Sequence, residues 1–150
     1  MQPDLIVVSS YPPQGQTHGI GTVGVASYTK NTLTSLLSNL NILVLAEKLP
    51  NQSLEYQEKN IHILRCWQRN SLKAFLDILK NINKYHQIPI MIEFEMAMFG
   101  KPILNIFFPI LLLILKLKKH PTTIVLHQVV LNFNEISGHI GQSKNSPLNT

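Results

Sequence analysis

Cys66 is the only cysteine in the chain, which excludes an internal disulfide and a cysteine-built metal cluster. A lone cysteine of this kind reads as a small buried apolar residue. Charge is also scarce, at 14% Asp, Glu, Lys and Arg. Such a charge-poor surface points to a partner, a membrane or a missing domain. The net charge is +5, yet the basic residues are scattered, and the densest group is Lys116, Lys118 and Lys119. No aromatic and basic residues interleave as in a nucleic-acid groove, so no nucleic-acid partner is expected. His62, His86, His120 and His139 have no metal-ligand spacing, so no metal site is expected. The first residues carry Asp4 ahead of a short apolar run and no basic cluster. No secretory signal is read there, and a cytoplasmic setting is the expectation. There is no internal repeat and no low-complexity tract.

What remains is enough for one domain with a sizeable core. Residues 5–9 form a short continuous apolar run, suited to a strand buried on both faces. Helical spacing of Ala26, Leu33, Leu36, Leu37 and Leu40 predicts a helix over residues 23–38. Ile42 to Ala46 is a second buried strand, and residues 48–59 read as a polar loop. A third strand covers residues 60–66, with its direction undecided. The next helix reaches residue 84, capped by Asn70 or Ser71, with Leu72, Phe75, Leu76, Leu79 and Ile82 facing inward. A fourth strand spans 88–95 and a fifth 122–127. Between them, residues 103–117 are apolar nearly all round. They fall short of the roughly twenty residues that a membrane span needs, so they read as a core helix, kinked where Pro109 cannot donate to Asn105. Lys116, Lys118 and Lys119 suit its carboxyl end and could also touch anionic lipid at a membrane surface. Residues 131–150 read as a loop or frayed end. The alternation predicts an α/β fold: a Rossmann-like, mostly parallel sheet with helices on both faces.

Ligands of such sheets bind outside the carboxyl ends of the strands. Three features fall at that edge. The first is the stretch His18-Gly19-Ile20-Gly21-Thr22-Val23-Gly24, leading into the first helix. Its glycines permit a turn and a close ligand approach, and a helix start aims unpaired N–H groups at an anion. The second is Glu93 and Glu95, two apart on a strand and therefore on one face. They are candidates for an acid/base pair or for a helix cap. The third is His127, at the mouth of the fifth strand, a candidate base or hydroxyl ligand. Gly19, Gly21 and Gly24 also spell G-x-G-x-x-G, with Glu47 ending the second strand, as in a nicotinamide dinucleotide fingerprint. Against that reading, Ser10 to His18 separate the glycines from the strand.

Three stretches carry a family resemblance. Ser9-Ser10-Tyr11-Pro12-Pro13 followed by Gly21-Thr22-Val23-Gly24-Val25-Ala26-Ser27-Tyr28-Thr29-Lys30-Asn31 resembles the opening strand, glycine loop and first helix of retaining GT-B glycosyltransferases of the family 4 type. Glu93-Phe94-Glu95-Met96-Ala97-Met98-Phe99-Gly100 is similar to a Q-x-E-F-G-x-F-G segment of some members, with Glu93 in place of glutamine and Met96-Ala97 in place of Phe-Gly. Thr123-Ile124-Val125-Leu126-His127-Gln128 resembles a strand ending in histidine. The likeness covers most of residues 4–130. It implies the N-terminal, acceptor-side half of a GT-B fold over residues 1–130. The second, donor-binding domain and its E-x7-E pair have no counterpart here. It further implies that Gly19, Gly21, Thr22 and Gly24 face donor phosphates and that Glu95 and His127 are the catalytic-side residues. The partners implied are a nucleotide-sugar donor, a glycan or lipid-linked acceptor and a separate C-terminal domain, with no cofactor and no metal. The chain alone is expected to be inactive. The alternatives are a non-catalytic sugar- or partner-binding module and a nicotinamide dinucleotide-binding domain.

Overall fold

The computed structural model describes residues 2–17, 24–36 and 39–127. The predicted loop or frayed end at 131–150 lies outside them, as do Gly19, Gly21 and Thr22. Six strands form one sheet: β1 (Leu5–Val8), β2 (Ile42–Glu47), β3 (Glu55–Glu58), β4 (Ile61–Trp67), β5 (Ile90–Phe94) and β6 (Thr122–Leu126). The order is β3-β4-β2-β1-β5-β6. Every pairing is parallel except that of β3 with β4. The result is an α/β, Rossmann-like sheet with α1 (Gly24–Leu36) on one face and α2 (Lys73–Ile82) and α3 (Phe108–Leu117) on the other.

The central strands are apolar without alternation because both of their faces are covered. Val7, Val44 and Ile63 pack toward Leu33 of α1, while Ile6, Val8, Leu43 and Leu45 pack toward α2 and α3. Fully burying an aliphatic side chain of this size contributes about 1.5–3 kcal/mol, so these strands form the part of the fold least tolerant of polar substitution. β4 alternates buried and half-buried residues along its whole length, and its pairing with β2 slips beyond Ala46. That irregularity lets the neighbours Cys66 and Trp67 both pack on the α2 face.

Five local expectations change. Residues 48–59 are not all loop: Glu55–Glu58 pair with β4 as a short antiparallel edge strand, closed by Lys59 at φ 55. Edge strands are often polar, and this one shows no apolar signal to read. Its presence accompanies the parallel direction of β4, which the sequence left open. In α2, Leu72 and Leu76 are exposed, and Ala74 and Ile78 join Phe75 and Ile82 beneath the helix. The tertiary contact rotates the buried stripe away from Leu72 and Leu76. Asn70 does not cap α2: it is left-handed, and the Ser71 hydroxyl instead accepts from the Lys73 N–H at 3.2 Å.

Finally, Pro109 does not kink a continuous helix. Residues Pro102–Phe107 form a 3₁₀ helix, and α3 begins at Phe108, with Pro109 in its first turn. There a missing N–H costs no intrahelical bond. The Asn105 carbonyl accepts from Phe108 in the 3₁₀ pattern. The helix joins the core on one side only. Only Phe108, Leu111 and Leu115 of α3 are buried. No helix among the described residues is long and apolar enough to cross a membrane.

Candidate functional site at the carboxyl edge

β1 lies between β2 and β5. The chain leaves β1 toward β2 and later crosses to the opposite side for β5, so the connections after β1 and β5 diverge at one point of the carboxyl edge. That divergence is where doubly wound sheets open a crevice for ligands. The start of α1, the residues after β5 and the residue after β6 all meet there.

Glu93 is carried on β5 with 1% of its side chain exposed, and its Oε2 lies 2.6 Å from Nε2 of His127. The His127 backbone N–H donates to the Phe94 carbonyl at 3.0 Å, which extends the β5–β6 ladder one residue and fixes the ring's origin. Tyr28 of α1 sets its ring against the imidazole, 4.5 Å between centroids and nearly perpendicular. A carboxylate can only accept, so Nε2 carries the shared hydrogen and Nδ1 is left as the nitrogen without a hydrogen in the neutral ring. The side chain of His127 keeps 17% exposure, enough to be reached.

Glu95 behaves differently from its neighbour. Its Oε2 accepts from the backbone N–H of Val25 at 3.4 Å, at the start of α1. A carboxylate there favourably meets the positive end of the helix dipole. Of the two glutamates read as an acid/base pair or a helix cap, Glu95 thus takes the cap, while Glu93 contacts the histidine. The segment after Glu95 is tightly anchored. Asn105 donates to the Met96 carbonyl and Arg69 to the Ala97 carbonyl, both at 2.9 Å. Phe99 is fully buried against Phe75 and Trp67, with ring centroids at 4.6 and 5.4 Å. Gly100 turns at φ +99, and the space a Cβ would need is filled by Asn70 Oδ1. The Phe99-Gly100 pair therefore acts as an anchor that holds Glu95 under α1.

Gly24 opens α1, and a Cβ built on it meets nothing within 4 Å. It needs no unusual backbone angle, and its surroundings are open. Gly19, Gly21 and Thr22, the other predicted phosphate-side residues, lie outside the described residues.

A second cluster holds the segment between β1 and the glycines. Arg65 sits on the buried alternation of Ile61 and Ile63 and is 1% exposed. Its NH1 donates to the carbonyls of Tyr11 and Glu47, each at 3.1 Å. Its NH2 donates to the Pro12 carbonyl at 2.6 Å and the Tyr56 hydroxyl at 3.1 Å. The Glu47 side chain is fully buried and accepts from the Tyr11 N–H at 3.2 Å. Burial raises its carboxyl above the ordinary 4.5, against the lowering effect of hydrogen bonds and of Arg65. Glu58 binds the Gly15 N–H at 3.1 Å and the Lys30 ammonium at 2.8 Å. Burial alone would raise its pKa, but these partners hold it below the ordinary value. Tyr11 is pushed far up, first by burial and then by the Glu58 charge.

This cluster bears on the dinucleotide fingerprint. That reading needs Glu47 to reach a ribose, but here Glu47 is enclosed beneath Tyr11. Tyr28 and Arg65 were not read as site residues from the sequence. For Arg65 a signal existed, a cation on the apolar face of a buried alternating strand. For Tyr28 none did, because its partner is 99 positions away.

Two open hollows of about 310 and 460 Å³ lie elsewhere, among residues such as Asn41 and His62, and Pro121 and Thr122, at the amino ends of the strands. Among the described residues no group of three His, Cys, Asp or Glu side chains could hold a metal ion. No family model matches the chain, no curated protein matches it, and no solved structure matches it.

Proposed function

We propose that this chain forms the acceptor-side, N-terminal half of a retaining GT-B glycosyltransferase in a cytoplasmic setting. It would move a sugar from a nucleotide-sugar to a glycan or lipid-linked acceptor. The observation that carries the reading is the Glu93–His127–Tyr28 contact set at the carboxyl edge, beside the start of α1 and Glu95. In this proposal His127 meets a sugar hydroxyl through Nδ1, while Glu93 fixes the tautomer and orientation of the ring. Glu95 is a positioning residue that holds the start of α1, with Gly24, toward the donor phosphates. The donor nucleotide would be held by a second Rossmann-like domain, in the same chain or a partner, and these 150 residues alone would not turn over. The enclosure of Glu47 counts against the nicotinamide dinucleotide alternative.

The test is titration of the purified chain with a panel of glycans, nucleotide-sugars and nicotinamide dinucleotides, followed by the imidazole resonances. Glycan binding that shifts His127, and that falls at least tenfold in His127→Ala, supports the reading. Dinucleotide binding with no glycan response would refute it. Supplying a donor-binding domain separates enzyme from binding module, since only an enzyme then transfers sugar, and His127→Ala should slow that transfer at least tenfold.

A further inference from the structure

A helix packed on a domain surface normally turns its polar face outward. The 3₁₀ segment and α3 do the reverse. Ile103, Ile106, Ile110, Leu113 and Leu117 are 69, 63, 50, 56 and 73% exposed. They recur at alternating spacings of three and four, so they form one stripe along the outer side. The inner side is already occupied by Leu104, Phe108, Leu111 and Leu115, which pack on the sheet. A monomer in water gains nothing from such a stripe, and apolar patches of this kind mark contact surfaces.

Charge decides among the occupants. From Met96 through Asn134 the sequence has no acidic residue, while Lys101, Lys116, Lys118 and Lys119 lie at the two ends of the stripe. All four lysines are exposed. A second copy laid against this face would bring lysines near lysines with no carboxylate from the same stretch to pair with them. An anionic lipid surface offers both chemistries at once, acyl chains for the stripe and phosphates for the lysines. Leu112, Lys116, Lys119 and Ile124 also line the hollow of about 460 Å³ beside the carboxyl end of α3, so basic and apolar side chains meet there as well.

We propose that the outer face of residues 103–119 docks in the headgroup layer of an anionic bilayer, with α3 lying in the membrane plane. The proposal is independent of the glycosyltransferase reading, because it needs neither a sugar nor turnover. It would nonetheless put the carboxyl-edge site close to a lipid-linked substrate, since Asn105 of the 3₁₀ segment binds the loop behind Glu95.

The experiment is co-sedimentation of the full chain with vesicles of phosphatidylcholine alone and with one third phosphatidylserine. Binding should be at least tenfold tighter to the anionic vesicles and should weaken with salt. The Ile110→Glu/Leu113→Glu variant should lose at least tenfold in binding, with its circular dichroism and Trp67 fluorescence unchanged, because both side chains are exposed. The Lys116→Ser/Lys118→Ser/Lys119→Ser variant should lose the anionic preference and keep its fold. Equal binding by wild type and the glutamate variant would overturn the proposal. So would a concentration-dependent dimer, with no vesicle binding, that the glutamate variant abolishes. Slow thiol labelling of a Leu113→Cys variant in the absence of lipid would also overturn it, because the stripe would then be covered by the protein itself.

Discussion

Replacing Arg65 by methionine should destabilise the protein sharply, and the size of the loss can be worked from the contacts. The guanidinium is 1% exposed and spends four of its five N–H groups on Tyr11, Glu47, Pro12 and Tyr56. Methionine fills similar apolar volume but donates nothing. The Tyr11 carbonyl loses its guanidinium donor, and the buried Glu47 carboxylate loses a neighbouring cation. Removing one member of a buried charged network costs about 3–5 kcal/mol, a large share of the roughly 5–15 kcal/mol by which domains are stable. The measurement is urea unfolding followed through Trp67, the single tryptophan, which is fully buried with its indole N–H on the Leu45 carbonyl at 3.0 Å. Part of the loss comes from leaving Glu47 uncompensated, so adding Glu47→Gln to Arg65→Met should recover about 1–2 kcal/mol, within the usual range for coupled neighbours. If Arg65→Met does not fold, Arg65→Lys serves, since it keeps the charge and loses the fork geometry; its deficit should be smaller. Loss below about 1 kcal/mol for Arg65→Met, or strict additivity with Glu47→Gln, would refute the reasoning.

Two further substitutions test the scaffold around the site. Gly100→Ala combines a left-handed backbone angle with a Cβ placed on Asn70 Oδ1, and it should cost about 2–4 kcal/mol by chemical denaturation. Gly24→Ala, in open space, should leave stability unchanged within about 0.5 kcal/mol. The two acids that bind the β1-to-α1 segment, Glu47 from β2 and Glu58 from β3, should move in opposite directions with pH. Glu47 has a raised folded pKa, so its stabilisation is present below 4.5 and disappears as pH rises through the folded value. Glu47→Gln should therefore gain relative to wild type between pH 4 and pH 8. Glu58 is depressed, so its contribution is present above 4.5 and disappears as pH falls through the folded value. Glu58→Gln should consequently lose relative to wild type at neutral pH and converge with it in acid. Denaturation midpoints for both variants across that range would check the signs. Cys66, its thiol pushed up to about 11 by burial and by Asp77, should label slowly with a thiol reagent at pH 8 and rapidly only after unfolding.

The sequence alone determined the order of the buried strands and principal helices and the class of fold, because a strand covered on both faces writes its burial directly into a run such as Ile42 to Ala46. It also located the edge at which the candidate residues gather, since strand ends follow from strand positions once the sheet is parallel. Pairing was beyond its reach. Whether Glu93 or Glu95 meets His127 depends on the register of β5 against β6 and on the distance to α1, and both are long-range quantities. β3 escaped detection because its four residues carry no apolar pattern, and its hydrogen bonds exist only once β4 is in place. The one-sided burial of α3 is illegible in the sequence for a related reason. Composition shows that residues 103–117 are apolar all round, but only packing decides which sides another element covers. One side faces the sheet, and the other is left outside.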